Sequence, residues 1–242
     1  VQKQEKIIKM FDEIAPTYDL ANRAISFGVD VSWRKKAVEL TLEKLKGKLV
    51  SIADIACGTG DMISSWCDGA AQHGVQIERI VGIDPSEGML EVARQKFPGC
   101  EFIKATAGAT TLDDASVDIL SISYGIRNVV ELDAALAEFS RIIKHGGSLV
   151  VLEFTKAASG GLAFKIRDFY VSKILPKIGA FISKNKEAYE YLPSSIGSFL
   201  DAASFSEKLK NSGFELRVQK GFSFDVSTLF IADKIARKSD DA

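Results

Sequence analysis

Over residues 1–46 the apolar positions recur at three- and four-residue spacing. Ile7, Ile8, Phe11 and Ile14 share one face, which predicts amphipathic helices, and Pro16 interrupts the pattern. From Leu49 the texture changes. The short apolar runs Leu49–Ile55, Ile80–Ile83, Glu101–Ala105, Val117–Ser123 and Ser148–Leu152 predict strands, and Asp61–His73, Ser86–Lys96 and Leu132–Lys144 between them have helical length and spacing. Short apolar strands alternating with helices predict a parallel sheet covered on both faces. The alternation pauses over 153–198, which reads as helical and irregular. It resumes with a helix around Leu200–Asn211, stopped at Gly213, and two strand-like runs, Phe214–Lys220 and Val226–Ala232, close enough to pair antiparallel. The expectation is one α/β domain with a Rossmann-like, mostly parallel seven-stranded sheet and an antiparallel last strand. A helical lid (1–46), a core (47–152), a cap insertion (153–198) and a final helix with a strand pair (199–242) make it up.

Composition narrows the function. Lys+Arg number 31 against 32 Asp+Glu, a net charge of −1, so the basic footprint of a dedicated nucleic-acid binder is missing. The three cysteines form no CxxC pair and there are two histidines, which argues against a zinc site or a disulfide framework and for a reducing, cytoplasmic setting. The charged opening Val1–Lys6 does not read as a signal peptide. No apolar run approaches the roughly 20 residues that span a bilayer.

The most informative segment is Ile52-Ala53-Asp54-Ile55-Ala56-Cys57-Gly58-Thr59-Gly60-Asp61. A strand ends there in small residues and a helix begins, so backbone can approach a ligand and N–H groups point at it. Asp84, at the end of the next strand, can accept hydrogen bonds from two ribose hydroxyls. Together they predict an adenosine-containing ligand. A dinucleotide fingerprint wants a third glycine where Ile63 stands, and Asp61 at the helix start would repel a pyrophosphate. Asp54, just before the loop, suits the amino group of a zwitterionic methionine moiety. Acid, small loop, second acid favours S-adenosylmethionine over a nicotinamide cofactor. Cys57 reads as a space-filler.

Longer strings carry a family resemblance. They are Phe11-x-x-Ile14-Ala15-x-x-Tyr18-Asp19, Asn22-x-x-x-Ser26-x-Gly28, Trp33-Arg34, Tyr124-Gly-Ile-Arg127-Asn128-Val129, Gly146-Gly147-x-Leu149-x-Val151-Leu152-Glu153-Phe154 and Tyr189-x-Tyr191-Leu192-x-x-Ser195-Ile196-x-x-Phe199. Together the chain resembles the ubiquinone/menaquinone biosynthesis C-methyltransferases from about Phe11 to Phe199. The resemblance implies a class I S-adenosylmethionine-dependent fold and methylation of a ring carbon of a polyprenylated quinol precursor. It places Thr59 in the cofactor loop, Asp84 at the ribose, Thr106 and Ala107 beside the adenine, and Ser123 near the methionine end. The full candidate cofactor set is Asp54, Ala56, Gly58, Thr59, Gly60, Asp84, Pro85, Met89, Thr106, Ala107, Ser123 and Tyr18, with no metal. Thr106 and Gly108 depart from the family's usual acid or amide and Glu, which shifts adenine recognition toward the backbone of Ala107.

An oxidised quinone is electron-poor, so the reduced quinol is the expected nucleophile. A phenol commonly loses its proton to a histidine, but His73 ends the first sheet helix and His145 lies in the turn into the fifth strand, both away from the strand tips. Arg127, Asn128 and Tyr124, on the loop after the fourth strand, are the candidate catalytic residues. Arg127 either stabilises the developing phenolate or pairs with an acid such as Glu153 to hold the loop. Tyr18 and Asp19 belong to a lid over the cofactor, and Trp33 packs a helix. Tyr189 and Tyr191 either line a substrate pocket or pack the cap.

From Gly160 to Ala188, Lys165, Arg167, Lys173, Lys177, Lys184 and Lys186 outnumber Asp168 and Glu187 and interleave with Phe164, Ile166, Phe169 and Phe181. This stretch is either a contact with anionic membrane or a solvated basic face. A peripheral location at the inner membrane and a homodimer are further expectations. A methyltransferase for another small molecule or RNA, a non-catalytic scaffold of a quinone-biosynthesis complex, and a dehydrogenase are the rival readings.

Overall fold

The strand runs read from Leu49 onward each enter one sheet, and residues 2–42 form three helices. In the computed structural model the described residues are 2–156, 169–170, 174 and 186–235, the side chains of 186–190 excepted. Helices α1 (Gln2–Ile14), α2 (Tyr18–Ser26) and α3 (Val29–Leu42) come first. Pro16 sits in a 3-10 turn between α1 and α2, where its missing N–H costs nothing. Phe27 and Gly28, with φ of 52° and 75°, turn the chain from α2 into α3.

The sheet comprises β1 (Leu49–Ile55), β2 (Gln76–Asp84), β3 (Glu101–Lys104), β4 (Val117–Ser123), β5 (Ile143–Glu153), β6 (Phe214–Phe222) and β7 (Ser227–Lys234). Its order is β3-β2-β1-β4-β5-β7-β6. The pairs β1–β2, β1–β4, β2–β3 and β4–β5 are parallel, and β7 runs antiparallel to both β5 and β6. The helices between strands are α4 (Asp61–His73), α5 (Glu87–Lys96), α6 (Leu132–Ile142), α7 (Lys186–Ser198) and α8 (Ala202–Asn211). The expected mixed seven-stranded sheet is therefore the one found.

Two apolar layers cover the sheet. On one face Phe139 of α6 and Phe205 and Leu209 of α8 pack on Ile55, Leu120, Val151 and Phe230. On the other, Val38 and Leu42 of α3 and Met62 and Trp66 of α4 pack on Ile52, Ile119, Val150 and Ile231. Alternate residues of a strand point to opposite faces, so burial on both sides explains the unbroken apolar runs. Gly69 lets α3 and α4 approach closely: a Cβ there would stand 2.2 Å from Val38 Cγ1. Each fully buried large side chain contributes on the order of 1.5–3 kcal/mol.

Strand starts differ from expectation. β2 begins at Gln76, opposite Leu49, and β5 begins at Ile143, opposite Val117. His145 thus lies within β5, exposed, rather than in a turn before it. Pairing of β2 extends into polar residues, where side-chain pattern carries no signal, and the start of β5 is set off from Ser148 by an irregularity in register. The expected cap over 153–198 lies largely outside the described residues, and α7 is its described end. Among the described residues no helix is long and apolar enough to cross a membrane.

Candidate active site

Sheet order reverses between β1 and β4, and their carboxyl ends open the crevice where α/β folds gather ligands. Two non-glycine residues with left-handed backbone stand there, Ala56 (φ 50°) after β1 and Tyr124 (φ 59°) after β4. Such conformations cost of order 1–3 kcal/mol and persist where surrounding structure imposes them. The two turns abut: a Cβ on Gly125 would lie 2.5 Å from Ala56 Cβ. Gly60 has φ of 88° and a Cβ there would meet the Phe97 ring at 2.7 Å, so this glycine serves the tight entry into α4.

A cavity of about 410 Å3 opens at these tips. Ala56, Gly58, Asp84, Pro85, Met89, Thr106, Ala107, Ser123, Tyr124, Asn128 and Tyr18 line it, so most of the candidate residues converge. Asp54, Thr59, Gly60 and Arg127 lie outside its wall. Gln4, Ile7, Ile8 and Phe11 of α1 roof it, adding a side that the strand motifs do not reveal.

Asp84 holds the floor. Its carboxylate accepts Gly58 N–H at 2.9 Å and Ser86 N–H at 2.8 Å, tying the glycine loop to the end of β2. Burial nevertheless raises its pKa to about 6. Beneath the loop, Trp66 Nε1 donates to Ser121 Oγ at 2.9 Å and Ser121 Oγ donates to Asp54 Oδ1 at 2.7 Å. Asp54 Oδ2 and Ser123 Oγ are buried without partners among the described residues, and burial raises Asp54 to about 7. Unpartnered buried acceptors beside a cavity favour a ligand that brings donors and positive charge. An adenosyl cofactor with an ammonium group fits this set: a carboxylate for the ribose, small residues for close backbone approach, and orphaned oxygens for the amino acid end.

The Thr59 side chain is engaged by α2. Its hydroxyl donates to Asp19 Oδ1 at 2.5 Å, and Lys96 donates to Asp19 Oδ2 at 2.9 Å. Asp61, expected to repel phosphate, receives Arg23 at 2.5 Å and Lys96 at 3.3 Å. The start of α4 is thus a clamp for α2. A second latch joins α1 to the core: Asp12 Oδ1 accepts from Ser86 Oγ at 2.6 Å and Gly88 N–H at 3.0 Å. A carboxylate at the N-terminus of α5 is favourably placed. No sequence pattern singles out Asp12, because the latch joins residues far apart in the chain.

A smaller chamber of about 80 Å3 adjoins the cavity, sharing Phe11, Tyr18 and Tyr124 with it. Trp33, Phe154, Tyr191 and Leu192 supply further apolar wall, and Arg34, Arg127, Asp30 and Asn22 its charged and polar part. Trp33 both stacks on Phe222, at 6.0 Å between centroids, and faces this chamber. Arg127 is buried and held. Its Nη1 donates to Glu153 Oε1 at 2.6 Å and Tyr124 O at 2.5 Å, and its Nε to Ser195 Oγ at 3.3 Å. Tyr191 Oη donates to Asn128 Oδ1 at 3.1 Å. Tyr124 Oη meets Ser227 Oγ at 3.1 Å, and burial pushes its pKa up. Tyr189's side chain lies outside the described residues. His73, partly exposed at the end of α4, and His145, exposed near the start of β5, line neither chamber.

This fold and crevice define a class I methyltransferase. Solved structures share the fold. The methyltransferase in complex with the Trm112 activator of Haloferax volcanii superposes with a TM-score of 0.68 at 14% identity, covering 93% of this chain and 98% of that one. A SAM-dependent methyltransferase of Thermotoga maritima gives 0.57 at 20% identity, covering 94% and 99%. The model of the ubiE/COQ5 methyltransferase family matches residues 1–234, and the chain belongs to that family. It is 58% identical to the ubiquinone/menaquinone biosynthesis C-methyltransferase UbiE of Campylobacter jejuni, over 97% of this chain and 100% of that protein. It is 37% identical to the demethylmenaquinone methyltransferase of Thermus thermophilus, over 93% and 100%. The chain is an S-adenosylmethionine-dependent C-methyltransferase, as the resemblance of its motifs implied.

Proposed function

We propose that this chain methylates a ring carbon of a reduced polyprenyl quinol, demethylmenaquinol or a methoxy-benzoquinol, in menaquinone or ubiquinone biosynthesis. The observation that carries the reading is the pair of adjoining chambers, one suited to an adenosyl cofactor and one walled by aromatic side chains, with Phe11, Tyr18 and Tyr124 between them. The names of the relatives agree with it.

S-adenosylmethionine, when bound, supplies a sulfonium methyl group that is already electrophilic. The chain's own work is to bind, align and exclude water. Asp84 accepts the ribose hydroxyls, and Asp54 and Ser123 receive the amino acid end. Flat aromatic walls orient the quinol ring. Loss of a phenolic proton to water makes the adjacent ring carbon nucleophilic, and Arg127 stabilises the oxygen as charge develops. Once that carbon has taken the methyl group, with S-adenosylhomocysteine as the leaving group, its own C–H proton passes to water and the ring regains aromaticity. Glu153 and the Tyr124 carbonyl hold that guanidinium in place, so its pairing and its catalytic role are compatible. Asn128, steadied by Tyr191, stands at the wall of the larger cavity.

The lipid substrate also bears on location. Leu20 (65% exposed), Phe27 (75%) and Phe169 (59%) are large apolar side chains open to solvent. Phe27 follows α2, whose Asn22, Ile25 and Ser26 line the aromatic chamber. This supports a peripheral approach to a bilayer. Flotation with anionic vesicles tests it, and no binding at either low or high salt removes it.

The deciding experiment is a mass-spectrometric assay with S-adenosylmethionine and short-tailed demethylmenaquinol or the matching benzoquinol, kept reduced by dithionite. A carbon-methylated product that disappears without reductant is expected, and the better substrate names the ring. No product on either ring, with cofactor binding intact, discards the quinol and leaves another methyl acceptor.

A further inference from the structure

Arg34 is a charged side chain in the wall of the aromatic chamber to which the reaction above gives no task. It lies on α3 and is 5% exposed. Its Nη1 donates to Asp30 Oδ2 at 2.5 Å, one turn back along the helix, and its Nη2 lies 3.7 Å from Asp61 Oδ2. Its Nε–H is buried with no partner among the described residues. A buried guanidinium donor left unsatisfied is costly, so such an atom in a chamber wall marks where an acceptor from outside the chain belongs.

The surroundings say what acceptor. The Arg34 guanidinium stands 5.5 Å from the Tyr124 ring centroid, the Tyr124 and Phe154 rings are 4.6 Å apart, and the Arg127 guanidinium stands 5.4 Å from the Phe154 ring. The two guanidiniums thus flank one aromatic pair. Both guanidiniums belong to the chamber wall, one beside the Tyr124 ring and one beside the Phe154 ring. A 1,4-dihydroxy aromatic ring carries its oxygens at opposite ends and needs donors on two sides, whereas a monophenol needs one.

We propose that Arg34 Nε–H donates to one oxygen of a 1,4-quinol while Arg127 serves the other, so that Arg34 sets which ring carbon faces the methyl donor. The inference rests on the quinol reading and deepens it. Asp30 and Asp61 already meet the charge of Arg34, so its contribution is a directed hydrogen bond and not net charge.

The test uses the full chain loaded with S-adenosylhomocysteine and titrated anaerobically, in calorimetry, with 1,4-naphthalenediol and with 1-naphthol. The unaltered protein is expected to bind the diol about tenfold more tightly, as one hydrogen bond to a charged donor implies. Arg34→Lys keeps a cation one turn from Asp30 and removes Nε. It is expected to bring the diol down to the affinity of the monophenol while leaving the monophenol and S-adenosylhomocysteine within about twofold of their original values. Persistence of the diol preference in Arg34→Lys overturns the proposal. Equal losses for diol, monophenol and S-adenosylhomocysteine overturn it too, making Arg34 a link in the helix network only. An unaltered protein that methylates quinols without preferring the diol removes Arg34 and spares the quinol reading. One that methylates no quinol removes both.

Discussion

Arg127 Nη1 lies 2.6 Å from Glu153 Oε1, and the same guanidinium reaches Ser195 on α7 through Nε. Two strings remote in sequence, Tyr124–Val129 and Tyr191–Ile196, therefore interlock: Arg127 with Ser195 and Asn128 with Tyr191. Glu153 is fully buried, and burial raises its pKa against the lowering effect of Arg127. The loop after β4 is in this way fastened to the ends of β5 and α7.

Removing one member of that buried pair leaves the other uncompensated. Glu153→Ala is expected to lose about 3–5 kcal/mol of stability, read as a lowered midpoint in urea. Arg127→Ala separates holding from chemistry. Turnover should fall steeply while S-adenosylhomocysteine affinity stays nearly constant in calorimetry. An equal fall in both would leave Arg127 with a holding role alone.

Asp84 imposes a pH dependence. Its pKa in the fold, about 6, lies above the ordinary 3.8, so burial favours the protonated form. In the ligand-free protein this contribution to stability is present below 3.8 and is lost as pH rises through about 6. Cofactor binding runs the other way, because ribose hydroxyls donate best to the ionised carboxylate. Affinity for S-adenosylhomocysteine should fall as pH drops below about 6, and Asp84→Asn should flatten that profile. Asp84→Ala should weaken binding at least tenfold at neutral pH. Unchanged affinity would remove the ribose from Asp84.

Asp54, raised by burial to about 7, is only partly ionised at neutral pH. An ammonium group arriving beside its unpartnered Oδ2 favours the ionised form, so binding should release protons near pH 7. Calorimetry in buffers of different ionisation enthalpy measures this directly. The buffer dependence should vanish in Asp54→Asn. The same heat in every buffer for the unaltered protein would place the amino group elsewhere.

The latch at Asp12 fastens α1, which roofs the cavity, to the start of α5. Asp12→Ala deletes two hydrogen bonds between α1 and α5, of order 1 kcal/mol each. Stopped-flow release of S-adenosylhomocysteine should accelerate several-fold, with little change in melting temperature because the sheet is untouched. An unaltered release rate would show that α1 is no gate.

The sheet was legible because its central strands are buried on both faces, which imprints apolar runs directly on the chain, and the helices between them because of their amphipathic spacing. Asp84 and the glycine loop were legible because they are local: a strand end, a turn, a helix start. The bond from the Thr59 hydroxyl to Asp19 was not legible, since Asp19 reaches it from α2, forty residues away in the chain. The strand start at Gln76 escaped because pairing of β2 extends into polar residues, and that at Ile143 because a register irregularity separates it from Ser148.

What the sequence determined by itself is thus the alternation of elements, the crevice at the β1 and β4 tips, and, through its longer strings, the family. What only the tertiary structure decided are the contacts between distant segments. These are the Asp12 latch on α5, the clamp of Asp19 and Arg23 on the start of α4, the Arg127–Glu153–Ser195 cluster and the chamber that leaves Arg34 Nε unpaired. The reason is physical. Periodicity records which side of an element meets the core, whereas the partner of a buried charge is set by how whole elements pack, and no spacing along the chain encodes it.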